Sequence, residues 1–119
     1  MRLHHLALRT RHLDRLEAFY VGLLGLRVRS RSERGVWLDA GGTILMLEHA
    51  EVGESEPSAG SKELVCFAIA PSERAAWEEA LHRAGVPVEG TTQFTMYFRD
   101  PEGRRVGLSH HPDPPISPA

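Results

Sequence analysis

The feature that most constrains this chain is an internal repeat, because the order of segments in the first half returns in the second. A strand-like segment begins at His5, and the helical segment that follows it ends at Gly25. A second strand-like segment begins at Leu64, and its helical segment ends at Gly85. Both landmarks are displaced by roughly 60 residues, about half of the chain. The sequence therefore predicts two similar modules in tandem.

Each half predicts one helix and several strands. In the first half, apolar residues recur at three- and four-residue spacing over 13–23, which is typical of one buried face of a helix. In the second half, Pro71 begins a helix, and a turn at 100–103 joins two strands. Each half therefore reads as strand, helix and three strands, an α+β fold. The predicted strands are 3–9, 27–31, 36–39, 43–48, 63–70, 93–99 and 104–109.

The boundaries of the modules follow from composition. Residues 1–50 form the first βαβββ module and residues 62–111 form the second. Between them, residues 51–61 carry several glutamates, serines and glycines and little that could be buried, so they are predicted to be a linker. Residues 112–119 contain four prolines and are predicted to be a disordered tail.

Composition excludes several classes of partner. A hydrophobic content of 41% and a charged content of 25% are ordinary for a soluble globular protein. A net charge of −2 provides no basic field for nucleic acid. No apolar run is long enough for a membrane span and no signal core follows Met1, so a cytoplasmic protein is expected. The single cysteine, Cys66, lies in an apolar strand and is expected to be a buried hydrophobe and not a reactive thiol.

Three groups of residues resemble a known superfamily. They are His5-Leu6-Ala7-Leu8-Arg9, then Ala18-Phe19-Tyr20 with Leu24-Gly25-Leu26, and Tyr97-Phe98-Arg99-Asp100-Pro101-Glu102-Gly103. Together they resemble the vicinal oxygen chelate superfamily, which includes glyoxalase I, bleomycin-resistance proteins, fosfomycin-resistance enzymes and extradiol dioxygenases. The resemblance implies that each βαβββ sheet curls into half of an open barrel around a cavity. It also implies a homodimer.

The resemblance implies four positions for the ligands of a divalent metal, two in each module. They fall on His5, Met46, Leu64 and Gly107. Of these residues, His5 is the one that superfamily enzymes would use. Leu64 and Gly107 have no donor atom, and the thioether of Met46 is unsuited to Mg²⁺, Mn²⁺ or Zn²⁺. The sequence therefore predicts that the usual catalytic metal is absent, with a divalent metal as the open alternative.

His5 and Glu48 are the candidate catalytic residues. Glu48 lies two residues from Met46 and therefore faces the same side of the sheet. His5 is predicted to be a cavity histidine that is hydrogen-bonded to Glu48 across the sheet, and such a pair could act as a general base. If a metal is bound, these two residues are expected to hold it. His4 is expected to point to the opposite face.

Strand alternation predicts the residues that contact a ligand. Arg9 stands where glyoxalase I-like sequences place an arginine that holds a substrate carboxylate, although a surface arginine at a strand end is an equal alternative. Thr95 and Tyr97 are similar to the Ser/Thr-x-Tyr of fosfomycin-resistance enzymes. The face on which Trp37 lies cannot be assigned from the sequence. The predicted ligand-binding residues are Arg9, Met46, Leu64, Cys66, Thr95, Tyr97 and Gly107.

Three functions are compatible with these residues. The first is a metal-free, homodimeric, cytoplasmic protein that binds a small organic molecule in its cavity, as bleomycin-resistance proteins do. The second is a lyase, isomerase or dioxygenase that uses a rearranged metal site or the acid–base pair of His5 and Glu48. The third is a structural or regulatory partner module with a vestigial cavity.

Overall fold

The computed structural model describes residues 1–116, so the end of the predicted tail at 112–119 lies outside the described residues. The chain divides into two compact units, Met1–Glu56 and Pro57–Ala119. The division falls inside the segment 51–61, where the sequence predicts a linker.

The first unit is a four-stranded sheet with one helix. The strand order in the sheet is β1-β4-β3-β2, with β1 and β4 parallel and the other neighbours antiparallel. The helix α1 continues directly into a π-helix, a feature that the sequence does not predict. The elements are β1 (His5–Thr10), α1 (Leu13–Glu17), the π-helix Ala18–Leu23, β2 (Arg27–Ser32), β3 (Gly35–Asp39) and β4 (Ile44–His49).

Alternation along these strands separates a buried face from an open one. The apolar side chains of one sheet face are buried together with those of the helical segment, because the two apolar surfaces cover each other. The helical segment ends at Gly25, whose φ of 77° is the left-handed conformation typical of a residue that terminates a helix. The buried residues of this core include Leu8, Leu16, Phe19, Tyr20, Val36, Leu38, Leu45 and Leu47.

The second unit repeats this architecture. Its strand order is β5-β8-β7-β6, again with the first and last strands of the module parallel and the others antiparallel. A 3₁₀ turn at Pro71–Glu73 precedes the helix, which ends before Gly85 at a φ of 71°. The elements are β5 (Leu64–Ala68), α2 (Arg74–Arg83), β6 (Gly90–Thr91), β7 (Thr95–Arg99) and β8 (Arg105–Ser109).

The core of the second unit lies on one face of its sheet. Leu81 of α2 is fully buried, as are Met96, Phe98 and Val106 of β7 and β8. Asp100 is buried in the turn between these strands, where its Oδ1 accepts hydrogen bonds from the backbone N–H groups of residues 102 and 104.

The prediction of an α+β fold made of two tandem βαβββ modules is confirmed. Each sheet has four strands, and within the described residues neither sheet closes into a barrel by itself. Within residues 1–116, no helix is long and apolar enough to cross a membrane.

Candidate functional site

The pairing of strands in the first unit brings four predicted site residues to one sheet face. Ala7 pairs with Met46, Arg9 pairs with Glu48, and residues paired in this way point to the same side. Trp37 pairs with Met46 on the next strand, so it lies on this face too, and it is 38% exposed. We call this surface the first open face. It consists of His5, Ala7, Arg9, Trp37, Met46 and Glu48.

Arg9 is held by two carboxylates of its own unit. Its Nε donates to Oε1 of Glu54 at 2.9 Å and its Nη2 donates to Oε2 at 3.2 Å, which is a bidentate pair. Its Nη1 donates to Oε1 of Glu48 at 3.3 Å. The hydrogen bond with Glu54 is the largest cause that raises the pKa of the Arg9 guanidinium. Arg9 is therefore already engaged at the position where the resemblance implies a substrate carboxylate.

Glu54 belongs to the segment 51–61, which was predicted to be a linker with little to bury. Its side chain instead folds back onto Arg9, and its Oε2 also accepts a hydrogen bond from the backbone N–H of Glu51 at 2.8 Å. These hydrogen bonds, with that from Arg9 the larger, lower the pKa of the Glu54 carboxyl. The sequence contains acidic residues at 54 and 56 and basic residues at 9 and 11, which pair in the structure. Their charges alone do not specify which acidic residue pairs with which basic one.

The predicted hydrogen bond between His5 and Glu48 is wrong. His5 pairs with Ile44, at the opposite end of the strand pair from Glu48. Four strand positions correspond to about 13 Å, too far for contact. Glu48 bonds to Arg9 instead, while Nδ1 of His5 lies 2.9 Å from Nδ1 of His4. His4 was expected on the opposite face, but it precedes β1, and its ring meets that of His5 edge to face.

In the second unit, the register places most of the remaining site residues on one face. Leu64 pairs with Arg105, Cys66 with Gly107 and Tyr97 also with Gly107. Leu64 is 40% exposed. We call this surface the second open face. It consists of Leu64, Cys66, Tyr97, Arg99, Arg105 and Gly107.

Two of the predicted ligand-binding residues have environments that the sequence does not reveal. Thr95 is buried, and its hydroxyl donates to Oγ of Ser109 at 2.8 Å, so it offers little to a ligand. Cys66 is exposed and not buried, contrary to the expectation, because it lies with Gly107 on the face of the sheet opposite the core. Partial burial nevertheless raises the pKa of the Cys66 thiol, which disfavours the nucleophilic thiolate.

Gly107 stands where superfamily enzymes would place a metal-binding glutamate, and a side chain at this position would crowd its neighbours. A Cβ atom at this position would lie 3.0 Å from Sγ of Cys66, 3.3 Å from Cγ2 of Thr95 and 3.4 Å from Cδ1 of Leu64. Neighbouring side chains would therefore have to shift before residue 107 could carry a side chain.

The residues present do not fit the metal of the superfamily. In the part of the chain that the structure describes, no three His, Cys, Asp or Glu side chains come together as a possible metal site. Of the four implied ligand positions, only His5 has a suitable donor. Glu48, the other residue that could hold a metal, is bound to Arg9 and lies far from His5.

The second open face contains a charged group that the sequence did not single out. Arg99 and Arg105 are directly opposite one another on neighbouring strands, and Glu89 forms ion pairs with both, at 2.9 and 3.6 Å. The guanidinium of Arg105 lies over the ring of Tyr97, 4.0 Å from its centroid. The signal in the sequence was the placement of one arginine on either side of the turn at 100–103.

Comparison with known proteins identifies the family of the chain. Residues 2–108 match the family model described as the Glyoxalase/Bleomycin resistance protein/Dioxygenase superfamily. The chain belongs to this superfamily, which confirms the resemblance inferred from its motifs.

Several solved structures are similar to this chain over almost its whole length. Lactoylglutathione lyase from Agrobacterium tumefaciens is 25% identical, with 92% of this chain and 93% of that chain covered and a TM-score of 0.72. A glyoxalase/dioxygenase from Nostoc punctiforme is 20% identical, with coverage of 94% and 92% and a TM-score of 0.77. Fosfomycin resistance protein FosX from Mesorhizobium loti is 16% identical, with coverage of 91% and 90% and a TM-score of 0.76. No curated protein sequence matches the chain.

Proposed function

We propose that this protein binds a small organic molecule on its open sheet faces without the catalytic metal of its superfamily. The observation that carries this proposal is that each open face exposes a large apolar side chain and also carries a guanidinium. On the first face these are Trp37 and Arg9, and on the second they are Leu64 and Arg105. Apolar surface with a few oriented polar groups is the composition of small-molecule sites.

On the first open face, the polar groups have fixed positions. Glu48 is 13% exposed in its side chain and is oriented by Arg9, which Glu54 holds from the other side. Trp37 and its pairing partner Met46 would contact the apolar body of a ligand, and Glu48 would accept a hydrogen bond from its polar end. The pair of His5 and Glu48 has no support as an acid–base couple, because Glu48 is bonded to Arg9 instead.

We propose in addition that the protein works as a cytoplasmic homodimer. Its membership of the superfamily supports this, since the resemblance implies homodimers for chains of this size. Sedimentation velocity at micromolar concentration would test the dimer, with a single species at twice the chain mass of 13.2 kDa as the expected result.

The function is tested by binding measurements on protein that has been stripped with a chelator. Amide chemical shifts would be recorded while a library of small aromatic and aliphatic compounds is added, first in chelator and then with Mn²⁺, Zn²⁺ or Ni²⁺. We expect at least one compound to shift residues of an open face in chelator, with an affinity that the metals do not change. Trp37→Ala should weaken the binding of compounds to the first open face. Trp77→Ala removes an indole from α2 instead and serves as the control.

The proposal fails if no compound shifts either face, or if binding requires a metal. A metal requirement would favour the enzyme alternative. Absence of any ligand would favour a partner module with a vestigial cavity.

A further inference from the structure

Two arginines of the second open face lie directly opposite each other, which brings two like charges together. Arg99 on β7 and Arg105 on β8 are directly paired, so their side chains leave the sheet on the same side. Like charges that are directly opposite on neighbouring strands repel each other. Glu89, just before β6, is the carboxylate that forms ion pairs with both. One carboxylate therefore serves two guanidinium groups, which leaves one positive charge in excess.

Glu89 neutralises Arg99 far better than Arg105. Arg99 donates from Nε to Oε2 of Glu89 at 2.9 Å, and its Nη1 donates to the carbonyl oxygens of Ser61 and Gly103 at 2.6 and 3.2 Å. The hydrogen bond from Arg99 is the largest cause that lowers the pKa of the Glu89 carboxyl. The guanidinium of Arg99 is thus well satisfied by groups of its own unit.

Arg105 is left without a hydrogen-bond acceptor. Its Nε lies 3.6 Å from Oε1 of Glu89, which is too far for a hydrogen bond, and this buried nitrogen has no partner within residues 1–116. The side chain as a whole is 22% exposed, so a ligand would meet the part of Arg105 other than this buried nitrogen. The ring of Tyr97 supports the face of the guanidinium at 4.0 Å, an arrangement that leaves the N–H groups along its edge for an acceptor.

We propose that Arg105 anchors the carboxylate of a small monocarboxylate ligand on the second open face. This inference rests on the proposed function and names the class of ligand. A single excess positive charge matches a monoanion better than a phosphate dianion, and the planar guanidinium matches a carboxylate through two parallel hydrogen bonds. Leu64, the pairing partner of Arg105, and the neighbouring Cys66 are exposed and would contact the apolar body of the ligand.

Arg105 and Arg9 differ in how firmly their guanidinium groups are already bound. Arg9 has the position that the resemblance implies for a substrate carboxylate, but Glu54 already forms a bidentate pair with it. A ligand carboxylate at Arg9 would have to displace that pair, whereas Arg105 has no bidentate partner to displace.

The test uses benzoate as the probe, with benzamide as a neutral compound of the same shape and inorganic phosphate as a dianion. Amide shifts and isothermal titration would be measured on the full chain in low salt. We expect benzoate to shift residues of the second open face and to bind at least about tenfold more tightly than benzamide. Benzoate affinity should also fall with added salt, because part of the site is exposed.

Two variants complete the test. Arg105→Met keeps the apolar stem and should lose benzoate affinity about tenfold or more, with a much smaller loss for benzamide, whose carbonyl accepts only a neutral hydrogen bond. Arg83→Met removes the same charge from an exposed site on α2, where the side chain is 72% exposed, and should leave both affinities unchanged. Should Arg105→Met unfold, the discrimination between benzoate and benzamide by the wild-type protein still decides the matter.

The outcomes distinguish failure of the anchor at Arg105 from failure of the proposed function. Equal binding of benzoate and benzamide at this face, unchanged benzoate affinity in Arg105→Met, or tighter binding of phosphate would overturn the anchor and leave the proposed function standing. If neither these probes nor any compound of the neutral library shifts an open face, both proposals fail together.

Discussion

At the scale of single residues, Glu54 decides what Arg9 can do. An arginine at the end of an edge strand would be solvated or free to bind a ligand, but the bidentate pair with Glu54 fixes its guanidinium beside Glu48. The segment after β4 is thereby fastened to the first open face. Removing the Glu54 charge should loosen this segment and free Arg9.

Glu54→Gln should lower the midpoint of thermal unfolding by about 1–3 °C, because the lost ion pair is partly exposed to solvent. Glu56→Gln is the matched control. Glu56 pairs with Arg11 but is 72% exposed in its side chain, so no measurable change is expected from it. Equal midpoints for the two variants would contradict the role given to Glu54.

The stabilising effect of Glu54 should depend on pH. The pKa of its carboxyl in the folded protein lies below the ordinary value of 4.5, so the ion pair contributes fully above that value and is lost as the pH falls through the folded pKa. The difference in unfolding midpoint between wild type and Glu54→Gln should therefore be constant near neutrality and shrink below about pH 4.5. A difference that grows on acidification would be incompatible with this ion pair.

A substitution at Gly107 tests whether a side chain can be introduced at the superfamily's fourth metal-ligand position. Gly107→Ala should lower the free energy of unfolding by about 1–3 kcal/mol, because its Cβ would approach Sγ of Cys66 at 3.0 Å. Gly90→Ala, with nothing within 4 Å of the new Cβ, should be close to neutral. Chemical denaturation of both variants measures the difference. A neutral Gly107→Ala would mean that the space around residue 107 is open after all.

At the scale of elements, the register between β3 and β4 positions the first open face. It places Trp37 beside Met46 and Gly35 beside Glu48. A Cβ atom on Gly35 would lie 2.0 Å from the carbonyl oxygen of Leu47, so the two strands can approach only if residue 35 is glycine.

Gly35→Ala should therefore lower the free energy of unfolding by about 3 kcal/mol or more, because β3 must move away from β4. Gly22→Ala, where no atom lies within 4 Å of the new Cβ, should instead stabilise the helical segment by about 0.5–1 kcal/mol. Denaturant titration followed by circular dichroism checks both values. Comparable stability of the two variants would contradict the close approach at Gly35.

The same elements show what the sequence could predict. Alternating apolar residues and the helical stripe at 13–23 located nearly all of the strands and the first helix, because burial on one face leaves a periodic pattern, and Pro71 marked the start of the second helix. The face of Trp37 could not be assigned, since apolar residues flank it on both sides and its face became evident only from the pairing with Met46. The hydrogen bond between His5 and Glu48 was wrong because a shared face does not specify how far apart two residues lie along it.

Charged partners were the least predictable part of the candidate site. Glu54 lies in a segment with no periodic pattern, and Arg105 differs from the chain's other arginines only in what surrounds it. Long polar side chains reach their partners across loops and between strands, so such contacts are set by the folded chain and not by local sequence.

At the scale of the whole molecule, the two modules share a fold and differ in chemistry. The first open face carries a complete ion-pair network around Arg9, whereas the second leaves Arg105 without an acceptor. Repeat-equivalent metal positions in both modules have lost their donors, with His5 as the exception. The chain has the superfamily's fold, and the residues at the implied metal positions do not fit its metal.

The most direct test of this account is the metal content of the purified protein after dialysis against a mixture of Ni²⁺, Zn²⁺, Mn²⁺ and Fe²⁺. The account predicts well under one tightly held metal ion per chain, and no difference between the wild-type protein and His5→Ala. About one metal per chain that is lost in His5→Ala would contradict it, and would show that His5 works with donors that the repeat does not predict.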